Sequence, residues 1–196
     1  MGKKTAAKNK ENVSKQQNKK RSSNKTAFIT VGVLVLAAVF FIFIYKGENT
    51  KPAATVIVNP DTLPGIQKTE APWPPEFSHL RERLKIIGLP ALSEEGTTLH
   101  SHQHIKVYIK GKTIQVPSGI GNPPQFITTI HTHDNSGEIH IESPTVQTFT
   151  LGQFFDTWGV KFDSKCLGSY CEDQQNSVKV FVDGKAVTGD PRIMNQ

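Results

Sequence analysis

The fold is decided by the stretch His131-Thr-His-Asp-Asn-Ser-Gly-Glu-Ile-His-Ile-Glu142. Polar and apolar residues alternate on both sides of the turn formed by residues 134 to 137, and this pattern predicts two antiparallel strands. A turn centred on residues 135 and 136 pairs His131 with His140, His133 with Glu138, and Thr129 with Glu142. All six side chains then share one face, and Ile130, Ile139 and Ile141 lie on the other.

Three further histidines share one face of a second predicted strand. His100, His102 and His104 have the same parity in the alternating run from residue 98 to 109, whereas the isoleucines and valine between residues 105 and 109 face the other way. A turn at residues 110 to 112 leads into a returning strand at residues 113 to 116. Six of the seven histidines therefore lie in two predicted hairpins.

The histidine-rich surface predicts a metal site. Cross-strand Cβ atoms lie about 4.5 to 5.5 Å apart, so several imidazoles of one hairpin can reach a single ion, and imidazole is the commonest protein ligand of metals. The predicted ligands are His131, His133, Glu138 and His140 on one hairpin and His100, His102 and His104 on the other. One site, two sites, or a pH-sensitive network of histidines without metal all fit this pattern.

Nitrogen and oxygen donors suit zinc, copper, nickel or iron. Copper(I) prefers sulfur ligands, and the predicted domain offers only Met194 and two cysteines. The predicted cofactor is therefore copper(II) or zinc(II), and the Irving–Williams order favours copper at nitrogen sites.

The first 45 residues differ from the rest of the chain. Residues 1–26 carry nine basic residues against one acid and predict a disordered cytoplasmic tail. Residues 27–45 are 19 residues without a charge, which reach about 28 Å as a helix and predict one transmembrane span. The basic residues before the span predict an extracytoplasmic C-terminal part. A cleaved signal peptide is the alternative, but no small-residue cleavage site follows Tyr45.

The remainder predicts one domain. Residues 46–75 are rich in Pro, Thr and Ala and predict an extended linker, which leaves residues 76–196 for a mainly-β domain. The predicted fold is a β-sandwich or small barrel with one or two short helices, at residues 76–87 and 151–158. Outside the basic tail, 14 basic residues face 16 acidic ones. Nucleic-acid binding is therefore not expected, and the predicted partners are the membrane and a membrane protein complex.

Two resemblances follow from these motifs. His131 and His133 followed by Glu138 are similar to the central part of the first cupin motif, although Gln125 and Thr145 stand where that motif has glycines. This implies a metal site on a β-barrel. The run from residue 131 to 144, continued by residues 149 to 159, resembles uncharacterised prokaryotic membrane-anchored proteins over roughly residues 100 to 189. That second resemblance implies a shared architecture and no particular activity.

The two cysteines predict a local crosslink. Cys166 and Cys171 bracket only four residues, and outside the cytoplasm such a pair oxidises readily. A disulfide is therefore predicted, with a reactive or metal-binding pair as the alternative.

Three functions fit the sequence. The first is a membrane-anchored module that buffers, delivers or senses copper or zinc. The second is a cupin-like metalloenzyme with an open coordination position. The third is a structural or interaction domain whose histidines respond only to pH.

Overall fold

Short strands and two short helices make up residues 58 to 195, the part of the chain that the computed structural model describes. The helices are α1 (Leu80–Ile87) and α2 (Leu151–Trp158). The strands are β1 (Ala91–Leu92), β2 (Leu99–His104), β3 (Val107–Ile109), β4 (Lys112–Ile114), β5 (Ile127–Thr128), β6 (Ile130–His131), β7 (Glu138–Ser143), β8 (Cys166–Leu167), β9 (Tyr170–Cys171), β10 (Phe181–Val182) and β11 (Lys185–Ala186).

The helix ends explain where the two helices lie. The Thr150 hydroxyl accepts a hydrogen bond from the Gln153 backbone N–H at 3.3 Å, and the Gln153 side chain accepts one from the Thr150 backbone at 3.0 Å. This capping box starts α2, and Gly159 in the left-handed conformation ends it. α1 starts at Leu80 rather than at the predicted Glu76, because the Glu76 carboxylate caps the turn before the helix.

The predicted hairpin register is observed. Within the sheet, β6 and β7 pair Ile130 with Ile141 and His131 with His140. The isoleucines of the two strands are buried in the core, at 0% exposure for Ile130 and 1% for Ile139 and Ile141. Helix α2, whose eight residues are all buried, packs against β6 and α1. The apolar face therefore holds the sheet against the core and leaves the opposite face to the histidines.

The predicted β-sandwich or small barrel is wrong. In residues 58 to 195 the sheets have two or three strands: β2-β7-β6 is the three-stranded one, and the others are the pairs β1-β5, β3-β4, β8-β9 and β10-β11. Most of these strands are two or three residues long. The predicted strand run at residues 98 to 109 is divided into β2 and β3, and strands this short do not form the large layers of a sandwich or close a barrel.

Part of the predicted linker belongs to the folded domain. Leu63 and Trp73 are buried at 5% and 1% exposure, and Gln67 forms a parallel bridge with Val160. The Trp158 indole donates a hydrogen bond to the Trp73 carbonyl at 3.1 Å. Proline favours extended backbone in this segment. Burial of the large apolar side chains between the prolines nevertheless stabilises their packing on the domain.

The prediction of a single-pass membrane protein is also corrected. Among residues 58 to 195, no helix is long and apolar enough to cross a membrane; α1 and α2 have eight residues each, whereas a spanning helix needs about 20. What the structure shows is a set of small β-sheets with two helices. The predicted tail (residues 1–26) and span (residues 27–45) lie outside the described residues, and the extracytoplasmic localisation that depends on them is withdrawn.

Candidate metal centre

One face of the three-stranded sheet gathers the histidines. β7 lies in the centre, with β2 and β6 antiparallel on its two sides. The register pairs His100 with Glu142, His102 with His140, and His131 with His140. Directly opposed residues on neighbouring strands point to the same face of a sheet. The two His-x-His segments therefore converge on His140 and Glu142 of the central strand.

His131 is fixed as a neutral ring whose Nε2 faces the histidine cluster. Its side chain is fully buried, and its Nδ1 lies 2.9 Å from the Thr128 carbonyl, which can only accept. Nδ1 therefore carries the proton, and the Nε2 lone pair points toward the cluster. Burial, aided by the nearby His133 and His140, lowers the pKa of His131 from 6.5 to about 4. At neutral pH this ring is in the form that binds metals.

Each His-x-His segment brings two Nε2 atoms close together. The distance is 3.0 Å between His131 and His133 and 3.1 Å between His100 and His102. With metal–nitrogen bonds of about 2.0 to 2.1 Å, two ligands of one ion lie about 2.9 Å apart at a right angle and about 3.4 Å apart at a tetrahedral angle. Both pairs have the spacing of two nitrogen ligands on a common ion.

Glu142 places a buried carboxylate between the two pairs. Its side chain is 5% exposed, and Oε1 lies 3.2 Å from His100 Nε2 and 3.4 Å from His140 Nδ1. Oε2 lies 3.7 Å from His131 Nε2 and has no hydrogen-bond partner in the described part of the chain. A buried charged oxygen without a partner is costly. A cation on this side of Glu142 would remove that cost.

A second buried acid, Asp156, differs from Glu142 in having a permanent cation beside it, although its Oδ1 is also without a hydrogen-bond partner among residues 58 to 195. The carboxylate of Asp156 accepts a hydrogen bond from the Arg192 guanidinium at 2.7 Å. Burial raises the pKa of Asp156, and Arg192 opposes that shift. Within residues 58 to 195, the ion-pair partners of Glu142 are histidines alone. Glu142 is therefore placed as a metal ligand would be, with imidazoles instead of a permanent cation around it.

Among residues 58 to 195, two groups of side chains can hold a metal ion. Within each group, one ligand atom from every residue lies within 4.8 Å of the others. The first group is His131, His133, His140 and Glu142, and the second is His100, His102, His140 and Glu142. The two groups share His140 and Glu142 and so form a single continuous cluster. The predicted alternatives of one site or two both apply to this cluster.

Glu95 is a ligand candidate that the sequence did not reveal. Its Oε1 lies 3.3 Å from His133 Nε2 and 4.0 Å from His131 Nε2, and its side chain is 49% exposed. The adjacent Gly96 lies against the backbone of Ser143, where a Cβ atom would overlap it. This close approach brings the loop before β2 to the cluster. The only sequence signal was an acid a few residues before a histidine strand, which is too common to be specific.

Two predicted ligands lie away from the centre of the cluster. His104 donates from Nε2 to the Ser136 carbonyl at 3.0 Å and belongs to neither metal-capable group. Glu138 lies at the exposed edge, where its Oε1 is 3.3 Å from His140 Nε2 and 3.8 Å from His102 Nδ1. Strand parity placed both residues on the correct face, but parity does not specify position along the strand. Glu142, which parity placed equally well, lies at the centre.

Cys166 and Cys171 form a disulfide. The bond joins the paired strands β8 and β9, and a disulfide sulfur is not a thiolate ligand. These cysteines therefore add no sulfur donor to a metal site.

Comparison of the chain with protein-family models, with curated proteins and with solved structures gives no match. A function can therefore be inferred only from the residues of the cluster.

Proposed function

We propose that this protein binds a divalent transition-metal ion through His131, His133, His140 and Glu142. The observation that carries the proposal is that the fixed Nε2 of His131 faces an unsatisfied buried oxygen. His131 Nε2 and Glu142 Oε2 lie 3.7 Å apart, His133 Nε2 lies 3.0 Å from the same His131 atom, and Glu142 Oε2 has no hydrogen-bond partner among residues 58 to 195. An ion bound between them would use both atoms at once.

We infer that the metal is zinc(II) or copper(II), and the donor set supports this inference. Three imidazole nitrogens and one carboxylate oxygen are typical ligands of both ions. The cysteines are oxidised, which disfavours copper(I) because it prefers sulfur ligands. The Irving–Williams order favours copper(II) when both metals are present at equal free concentration.

Binding and release are the activity that this geometry supports best. Four protein ligands can close the coordination sphere of a tetrahedral ion. His133 is 40% exposed and Glu95 is 49% exposed, so the ion can enter and leave from the solvent side without unfolding the sheet. We therefore infer a metal-binding protein that buffers or delivers the ion.

Equilibrium dialysis tests the proposal. The metal-free full-length protein is dialysed against zinc(II) or copper(II), and bound metal is measured by mass spectrometry. His133→Ala removes an exposed ligand and is expected to weaken binding by at least about 100-fold. His104→Ala is the matched control, because it removes a histidine of the same face that lies outside both metal-capable groups. Equal binding by the two variants, or no binding by the wild type, would refute the proposal.

Metal-assisted hydrolysis is a second candidate, and Glu95 is the observation that favours it. This carboxylate lies at the solvent side of the cluster, 3.3 Å from His133 Nε2, where a general base next to a metal-bound water would be placed. Glu95→Gln would then abolish hydrolysis of an activated ester while keeping the metal. If wild-type protein loaded with zinc shows no hydrolysis above the free ion, this second function is excluded.

A further inference from the structure

We infer that the same face holds two metal ions at once, with Glu142 as a carboxylate bridge between them. This inference rests on the proposed function and extends it. The first ion is the one bound by His131, His133, His140 and Glu142. The second is bound by His100 and His102 on the other side of β7, together with the second oxygen of Glu142.

The sheet is arranged in two similar halves about β7. Each flanking strand contributes a His-x-His segment, and the two Nε2–Nε2 distances are nearly equal, at 3.0 Å for His131 and His133 and 3.1 Å for His100 and His102. His102 and His131 both pair with His140 of the central strand, and His100 pairs with Glu142. Each half therefore places two imidazole nitrogens, at the spacing of two ligands of one ion, beside His140 and Glu142.

The two oxygens of Glu142 face different halves. Oε1 lies 3.2 Å from His100 Nε2, whereas Oε2 lies 3.7 Å from His131 Nε2. A single ion on the His131 side would engage Oε2 and leave Oε1 beside His100. Two ions use both oxygens, and a pair of ions about 3.5 to 4 Å apart is the usual spacing in two-metal sites.

The charges of the cluster accommodate two divalent ions. Three carboxylates surround the imidazoles: Glu142 in the centre, Glu95 near His133 and Glu138 near His102. They offset most of the four positive charges of two such ions, and water or hydroxide can supply the rest. The outer acids are each about half exposed, so each half has its own carboxylate on the solvent side.

A shared proton between the paired rings is the simplest alternative. One neutral imidazole can donate from Nε2 to the Nε2 of its neighbour at these distances. That arrangement explains the ring pairs but leaves Glu142 Oε2 buried without a partner. The first ion gives Oε2 a partner, and the second ion accounts for the His100–His102 pair beside Oε1.

Calorimetric titration of the metal-free full-length protein with zinc(II) measures the number of ions. Wild type is expected to bind two equivalents, and the double variant His100→Ala/His102→Ala is expected to bind one. His104→Ala should still bind two. His100 and His102 are 58% and 45% exposed, so their replacement should not prevent folding; circular dichroism checks this.

Electron paramagnetic resonance of the copper(II)-loaded protein tests the bridge. Two copper(II) ions joined by Glu142 should couple, so that the spin count is less than half of the bound copper, whereas Glu142→Gln should lose coupling. One equivalent of zinc in wild type would overturn the two-ion inference and leave the proposed function intact; no uptake would overturn both. Two equivalents with uncoupled copper spins would overturn the bridge.

Discussion

The two flanks of β7 carry the same His-x-His motif in opposite environments. On the β6 side, His131 is fully buried and its Nδ1 is held by the Thr128 carbonyl. On the β2 side, His100 is 58% exposed and contacts His102 and Glu142. Burial thus fixes the tautomer and direction of the His131 ring, whereas the His100 ring is exposed. In the proposed metal site, the β6 flank is therefore the preorganised side.

The difference implies an order of filling. A preorganised ligand loses less conformational freedom on binding than an exposed one, so the first zinc ion should occupy the β6 flank. Because His131 is buried, it should contribute to the free energy of unfolding. His100 is exposed and should affect only metal affinity. The following predictions test this contrast, from the largest expected effect to the smallest.

Replacing the buried ring should cost the most stability. His131→Ala leaves a cavity and an unpaired Thr128 carbonyl, so the free energy of unfolding of the metal-free protein should fall by about 3 kcal/mol. His100→Ala, on the exposed flank, should change it by less than about 0.5 kcal/mol. Urea denaturation in the presence of a chelator measures both; equal effects would refute the contrast.

Acid should destabilise the metal-free protein through His131. The unfolded ring titrates near 6.5 and the folded ring near 4, so between these values the unfolded state binds a proton that the folded state does not. The contribution of His131 to the free energy of unfolding is fully present above pH 6.5. It is lost as the pH falls toward 4, and the loss is on the order of 3 kcal/mol. Urea denaturation from pH 7.5 to 4.5 measures the loss. His131→Gln should reduce the slope and His100→Gln should not; an unchanged slope in His131→Gln would count against this.

Removing the charge of Glu142 should have opposite effects on stability and binding. Glu142→Gln removes a buried charge without a permanent cation, so the metal-free protein should gain roughly 1 kcal/mol. Zinc affinity should fall about 100-fold, because the central oxygen ligand loses its charge. Thermal denaturation and calorimetry measure the two quantities. A loss of stability in the metal-free variant would contradict this role.

The exposed acid of the β6 flank should contribute least. Glu95→Gln removes a carboxylate that is 49% exposed, and solvent screens such a group. Zinc affinity is expected to fall less than about 10-fold. Competition with a chromophoric chelator measures the change, and Glu94→Gln, the neighbouring acid, serves as the control with no change expected. A loss as large as that of Glu142→Gln would make Glu95 a central ligand.

Strand parity and turn chemistry predicted much of the site. The turn at residues 134 to 137 correctly placed His131 opposite His140, and Gly137 adopts the left-handed conformation that such a turn requires. Alternation also placed His100 and His102 on one face. These features depend on residues near each other in the chain, for which local rules are sufficient.

The pairing of β2 with β7 could not be predicted. It brings His100 opposite Glu142 and merges two predicted clusters into one, but it depends on how the sheet packs on the core. The position of Glu95 has the same origin, since Gly96 must approach the backbone of Ser143. The buried Trp73 was missed for a related reason, because composition alone cannot show which side chains find a partner.

X-ray absorption spectroscopy of the zinc-loaded full-length protein tests the central claim most directly. Zinc bound by the histidine face should show an inner shell of nitrogen and oxygen at about 2.0 to 2.1 Å, with the outer-shell scattering of several imidazole rings and no sulfur. A fall in imidazole scattering in His133→Ala/His102→Ala, which removes two of the five assigned rings, would agree with the assigned ligands. A wild-type spectrum with oxygen neighbours alone would contradict a metal centre on this sheet.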